Sequence, residues 1–389
     1  MLYTEISRDI IVTMIYLDNN ATTPVDPEVS DAVFSSLRRD LGNPSSVHLP
    51  GRKANEAVEF SRKYVADLLN CSVEEIYFTS GGTESNNLAI MGTAMLHKKG
   101  HIITSAIEHP SVINPCLYLE SLGFEVTYAP VNSEGMVEVD NIKKSIRKET
   151  ILISIMHSNN ETGVVQPIEE IGAVAKENRI TFHVDAAQSI GKMHFNPDPP
   201  VNLLTIVSHK FYGPKGVGAL YVRNGTHLKP IIFGAGHERG LRPGTENVAG
   251  IVGMGKACQV AKRDIKLRVA HTTALRDLIL HQLKSALPDL TLNGHRTQRL
   301  SNTLNMRVPG VLSGELVELL KDRVAVSTGS ACHAGKMKPS IVLKNMGLSD
   351  EEALSSIRLS VGKDNTEDEI KEAVQIIVSA VQELRKKSA

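Results

Sequence analysis

The sequence predicts an α/β fold, with a mostly parallel sheet carrying helices on both faces and a smaller α+β domain after it. Two observations predict this. Short apolar runs of strand length recur along the first half of the chain, each breaking into a polar or glycine-containing loop and then into helix-like periodicity. That alternation builds strand–helix–strand units, whose parallel sheet opens its ligand crevice beyond the strand ends. The second observation is size: 389 residues with 41% hydrophobic content suffice for a large core and two domains. The expected domains are 15–265, large, and 266–389, small, the latter packing with the N-terminal segment 1–24.

Taken in order, Met1–Thr13 lacks the apolar core of a signal peptide and the Arg/Ser bias of a transit peptide, and Met14 is an alternative start. Ile15–Pro24 begins apolar and breaks into a polar turn, and Pro27–Arg39 reads as helix. Gly42–Ser46 is a loop. Ile76–Thr79 reads as a strand feeding a glycine turn, Ser80–Asn87, ahead of the helical pattern Leu88–Leu96. A glycine turn at a helix N-terminus presents amides and a dipole to an anion, although such turns often only join strand to helix. Ile102–Ser105 is a strand leading to His109, and Ile151–Met156 one leading to Asn160. A single histidine is more often structural than catalytic. Ile180–Val184 is a strand leading to Asp185-Ala186-Ala187-Gln188.

Leu203–Val207 is an apolar strand followed by Ser208, His209 and Lys210, then by the turn Gly213–Gly216 and a strand over Ala219–Val222. Phe233–Asn247 is glycine-rich and charged, the composition of an ordered functional loop. Val248 to about Ile279 reads as a helix crossing between domains, and Leu290–Val308 opens the small one. Val324–Gly335 surrounds Cys332 with small residues; His333, Lys336 and Lys338 would favour its thiolate. Pro339–Leu343 opens a helix, and Ile357–Gly362 is a strand bearing Arg358, whose planar fork suits a carboxylate.

Lys210 and Asp185 carry the chemistry. Each alone is plainly read as a polar cap at a strand end. Together, on neighbouring strands, an amine that burial keeps nucleophilic and a carboxylate at the crevice are what pyridoxal phosphate needs: one for its aldehyde, one for its pyridine nitrogen. With these motifs the chain resembles the class V aminotransferase family, specifically the cysteine desulfurases and their close relatives the selenocysteine lyases, from about Ile15 to Leu384.

The resemblance implies pyridoxal-phosphate fold type I, a homodimer and a set of site residues. Gly82 and Thr83 contact the cofactor phosphate, His109 stacks on the ring and moves protons, and Asp185, Gln188 and His209 hold the cofactor. Lys210 binds it covalently, and Asn160 places both the cofactor and the substrate. Thr245 reaches the phosphate held by the other subunit, Arg358 takes the substrate carboxylate and Cys332 accepts sulfur. Many desulfurases have a phosphate-binding serine three residues before the lysine; here Val207 stands there, as in selenocysteine lyases, and Ser208 is the nearest candidate. The implied reaction removes sulfur from L-cysteine, leaving L-alanine and a persulfide on Cys332 for an acceptor protein in iron–sulfur or thio-cofactor supply. L-selenocysteine is the alternative substrate; an aminotransferase or a non-catalytic assembly scaffold would leave Cys332 or Lys210 without a role.

Composition agrees with a small-molecule enzyme. Lysine plus arginine and aspartate plus glutamate each number 43, so the balance implies no face for nucleic acid or an anionic membrane. No run approaches the ~18 apolar residues of a membrane span. Four cysteines without a close pair point away from disulfides and zinc and toward the cytoplasm. Cys71, Cys116 and Cys258 read as apolar fillers.

Overall fold

Runs such as Thr150–Met156 are apolar on both faces, which suits a strand covered by helices on each side. The computed structural model, which describes residues 14–193, 201–328 and 338–388, joins these runs into one seven-stranded sheet. The chain runs β1 (Ile15–Tyr16), α1 (Pro27–Arg39), α2 (Leu49–Leu69), β2 (Ile76–Thr79), α3 (Gly82–Ala94), β3 (His101–Ser105), α4 (Pro110–Ser121) and β4 (Glu125–Ala129). There follow α5 (Val139–Ser145), β5 (Thr150–Met156), α6 (Ile168–Glu177), β6 (Thr181–Asp185), β7 (Leu203–Val207), β8 (Gly218–Val222) and the long α7 (Val248–Ala286). The C-terminal part holds β9 (Thr291–Leu292), β10 (Thr303–Arg307), α8 (Ser313–Leu320), β11 (Val324–Ala325), α9 (Ile341–Asn345), α10 (Asp350–Leu354), β12 (Ser356–Ser360) and α11 (Glu367–Ser388).

The large sheet has the order β2-β8-β7-β6-β5-β3-β4, and only β8 runs against its neighbours. Strand side chains alternate between faces, so Ile102 and Leu152 pack with α3 and α4 through Ile90, Cys116 and Leu119. Ile103 and Ile153 face the other way, into the larger core shared with α2, α6 and α7. Helix starts follow their local chemistry: Asp26 accepts from the amide of Glu28 ahead of α1, and His109 accepts from Ser111 ahead of α4, each with proline in the first turn.

Four elements differ from the sequence reading. Helix α3 begins at Gly82, six residues before the apolar pattern that signals it (88 − 82), because its first turn is polar and faces the crevice. The 21-residue α2 and the half-exposed edge strand β4 were not anticipated. Helix α7 continues to Ala286. Its first half, through Ala261, belongs to the large core, and from Leu275 it joins a second core with Leu304, Leu359 and Val381. Ile15 and Leu17 lie in that second core too, since β1 pairs with β11 and Asp18 bridges to Ser360.

One ion pair ties the glycine-rich loop to the sheet. Arg62 of α2 meets Glu238 through two hydrogen bonds of 2.8 and 2.7 Å, with both side chains buried. Glu238 also accepts from the amide of Phe78 in β2, and Arg62 donates to the carbonyl of Ile76. Without Glu238, the buried guanidinium of Arg62 keeps only the exposed Glu59 at 3.1 Å and the carbonyl of Ile76, and its charge is poorly compensated. Glu238→Ala should therefore cost about 3–5 kcal/mol in urea denaturation, and Arg62→Met with Glu238→Leu considerably less.

Candidate active site

The carboxyl ends of β2, β3, β5, β6 and β7 point to one side, and the loops leaving them enclose a cleft of about 380 Å³. Gly82, Thr83, His109, Asn160, Asp185, Gln188, His209, Lys210 and Arg358 all line it, as do Asn20, Asn86 and Val207. A larger cavity of about 760 Å³ adjoins it at Thr83, His109 and Ser111, but its walls hold no carboxylate, lysine or arginine. The chemistry is in the smaller one.

Lys210 ends a short 3₁₀ turn directly after β7. Its Nζ donates to the carbonyl oxygens of Asn20 (2.6 Å) and Ala21 (2.8 Å). Burial lowers its pKa to about 8, and the Arg358 guanidinium pushes the same way against the pull of Asp185 and Asp18. Asp185 ends β6 and is nearly buried. One oxygen accepts from the amide of Ala187 at 2.9 Å and the other from Asn86 Nδ2 at 2.8 Å, so the carboxylate is held in one orientation.

Asn86 also donates to Ser111 Oγ, and Ser111 meets His109 Nδ1 through both its hydroxyl and its amide. Because that amide donates to Nδ1, the ring proton of the neutral imidazole sits on Nε2. Burial holds His109 below its ordinary pKa, with Asp185 opposing and Lys210 assisting. His209 is lowered to about 4 by burial and by the cations Lys210, Lys215 and Lys192, and is neutral. Arg358 sits on β12 and reaches across from the C-terminal part. It donates to Asp18 Oδ1 at 2.6 Å and to the carbonyl of Asn160 at 3.0 Å.

A sequence model of the family described as Aminotransferase class-V matches residues 15–373. The chain belongs to the class V aminotransferase family. It is 46% identical over 376 residues to the cysteine desulfurase IscS of Dictyoglomus turgidum, with 95% of each chain covered. To the cysteine desulfurase IscS of Photobacterium profundum it is 48% identical over 379 residues, covering 95% of this chain and 93% of that one. Among solved structures, a NifS-like protein superposes with a TM-score of 0.89 at 36% identity, covering 95% of this chain and 99% of the other.

Pyridoxal 5′-phosphate is the cofactor of this family, and the residues present fit it. Helix α3 opens without a side-chain cap, leaving its first amides to an external anion. The approach is close, for a Cβ on Gly82 would come within 2.7 Å of Val207 Cγ2. Asp185 offers a fixed carboxylate, Lys210 an amine of depressed pKa and His109 an imidazole at the cleft wall.

Ser208 is a correction. It is fully buried outside the cleft, against the following turn: a Cβ on Gly213 would fall 2.0 Å from its Oγ. The 3₁₀ turn that carries Lys210 to the cleft turns Ser208 away, and Val207 forms the wall instead. Thr245 is exposed and lines no part of its own chain's cleft. Cys332 lies outside the described residues. Asn20, Asn86, Asp18 and Lys192 were missed by the sequence reading. Asn20 and Asp18 stand in the polar turn after β1 and Asn86 in the glycine turn, both noted as segments, but nothing local marked which residue faces inward.

In the apo protein Lys210 should lose its proton near pH 8 rather than near its ordinary 10.5. Competitive acylation read by peptide mass spectrometry should show half-maximal reactivity there. Arg358→Gln should raise that midpoint, since it removes a like charge beside the amine.

Proposed function

We propose that the protein is a pyridoxal 5′-phosphate-dependent cysteine desulfurase, taking sulfur from L-cysteine, releasing L-alanine and keeping the sulfur as a persulfide on Cys332. The observation that carries the reading is the meeting of Lys210, Asp185 and Arg358 in one cleft from β7, β6 and β12. When bound, the cofactor draws electrons from the substrate α carbon into its ring. The chain's own groups do the rest. Asp185, fixed by Asn86 and Ala187, holds a proton at the pyridine nitrogen, and Gly82 and Thr83 take the phosphate at the α3 N-terminus. Asn160, Gln188 and His209 orient the ring. Arg358 takes the substrate carboxylate at the edge not given to Asp18.

Lys210, whose pKa of about 8 lets it work as base and acid near neutrality, moves the α proton, and His109, whose imidazole lines the same cleft, assists proton transfer there. The Cys332 thiolate attacks the substrate sulfur; the carbon–sulfur bond breaks, its electrons go to the former β carbon, and a proton completes alanine. The persulfide then passes to an acceptor protein in iron–sulfur or thio-cofactor supply. The other cysteines suit no such role: burial raises the thiol pKa of Cys71 and Cys116 to about 12 and that of Cys258 further.

The working unit is a homodimer in which Thr245 serves the partner's phosphate site. Two features support it: the loop bearing Thr245 is pinned by Glu238–Arg62 and Arg242–Glu84, and exposed apolar groups stand at the larger cavity (Met95, Tyr118 and Leu122) and in that loop (Phe233). Cytoplasm is the proposed compartment; no helix among the described residues is long and apolar enough to cross a membrane. Val207 at the cleft wall favours one second reading, a selenocysteine lyase.

Cys332→Ala separates the two readings. Sulfur on carbon leaves poorly without a thiolate to receive it, whereas selenium leaves more readily. The variant should lose alanine release from cysteine almost entirely, keep measurable release from selenocysteine and retain its visible spectrum. Wild-type desulfuration in Cys332→Ala would sink the persulfide mechanism. Sharing of sites is read by mixing inactive Lys210→Ala with inactive Thr245→Val chains: verified heterodimers should regain activity, because one hybrid site holds both wild-type residues.

A further inference from the structure

Lys192 has no part in the reaction above, yet it is buried beneath the cleft. It follows Gly191, whose φ of +74° and close packing on Phe211 turn the chain back under the site; a Cβ there would lie 2.5 Å from Phe211 Cβ. Its Nζ donates to Gln188 Oε1 at 2.8 Å and to Asn20 Oδ1 at 3.0 Å. Burial pushes its pKa well below the ordinary 10.5, and the charges acting on it among the described residues, Lys210 and Arg358, are both positive and push the same way. An amine buried with no carboxylate beside it among the described residues is costly, so its presence calls for a role in geometry. Two donated bonds are within reach of the neutral amine as well as the ammonium.

Those two bonds decide which way two amides face. Gln188 Oε1 is occupied by Lys192, and Gln188 Nε2 donates to the carbonyl oxygen of Asn20 at 2.9 Å. Flipping the amide would set Oε1 against that carbonyl, acceptor against acceptor, and remove the acceptor from Lys192. The amide that lines the cleft therefore has only its second N–H left to offer. Asn20 is fixed in the same way: Oδ1 accepts from Lys192 and Asn302, while Nδ2 donates to Thr303 and to the carbonyl of Asn160.

We propose that Lys192 is a positioning residue, which locks Gln188 as a hydrogen-bond donor toward an anionic ring oxygen in the cleft. This rests on the reading of the cleft as a pyridoxal-phosphate site. A fixed donor beside that oxygen stabilises its ionised form and lowers the pH midpoint at which the visible absorbance of the holoenzyme titrates. Lys192→Met keeps the volume and removes both donors. It should raise the midpoint by about one pH unit, and weaken uptake of pyridoxal phosphate by the apo protein about tenfold, with KM for cysteine changed less than about twofold. In a Gln188→Leu background the same substitution should leave the midpoint where Gln188→Leu alone puts it, because Lys192 reaches the ring oxygen only through Gln188, while Asn20 is still held by Thr303, Asn160 and Asn302.

A folded Lys192→Met with the wild-type midpoint overturns the proposal, and so does a further shift in the Gln188→Leu background. If Lys192→Met does not fold, Lys192→Gln carries the test. It keeps one donor and should shift the midpoint in the same direction by less; a wild-type midpoint there overturns the proposal equally. Failure of the wild-type chain to take up pyridoxal phosphate would overturn the reading of the cleft and this proposal together. A normal wild-type holoenzyme whose midpoint Lys192→Met leaves in place overturns the role of Lys192 alone.

Discussion

Asn20 is the constraint on which the site depends. It is 1% exposed, and all its polar atoms are used. Its carbonyl accepts from Lys210 and Gln188, its amide nitrogen donates to Ser360 Oγ, and its side chain meets Lys192, Asn302, Thr303 and Asn160. Residues from the end of β7, the turn after β6, the loop after β5 and the C-terminal sheet are thus tied through one residue in the turn after β1. A buried polar group must find partners, and here the partners belong to both cores. The cleft lies where those segments meet, and the network holds its walls together.

The charges of the cleft are balanced around the same point. Arg358 stands near Lys210 and lowers its pKa, an effect that would grow if the guanidinium were unpaired; Asp18, two residues before Asn20, holds it at 2.6 Å and draws Lys210 the other way. The outcome is an amine near pH 8, reactive yet still able to return a proton. On the other wall, Asp185 is fixed by two donors and linked through Asn86 and Ser111 to His109, so the carboxylate and the imidazole of the cleft are mechanically coupled. A cleft of this kind has its geometry set before any ligand arrives.

Much of this was legible because parallel sheets write their sites locally. An apolar run followed at once by Asp185 or by Lys210 places those side chains at strand ends whatever the rest of the chain does, and β6 and β7 are indeed neighbours in the sheet. The glycine turn before α3 was legible for the same reason. Ser208 shows the limit: two residues before Lys210, its direction depends on a 3₁₀ turn and on the room beside Gly213, neither of which leaves a periodic signal. Edge strand β4, half-exposed along most of its length, has too weak an apolar pattern to announce itself.

The sequence by itself determined the fold class, the strand ends that bear Asp185, Asn160 and Lys210, and the family resemblance, since each rests on residues adjacent in the chain. Tertiary structure decided which polar residues of the N-terminal turn face inward, how Arg358 comes to stand across from Lys210, and that Lys192 lies buried beneath both. Those facts rest on contacts between segments hundreds of residues apart, 340 between Asp18 and Arg358. Only the closing of the two cores on each other brings such segments together, and no local pattern encodes the direction from which a distant partner will arrive.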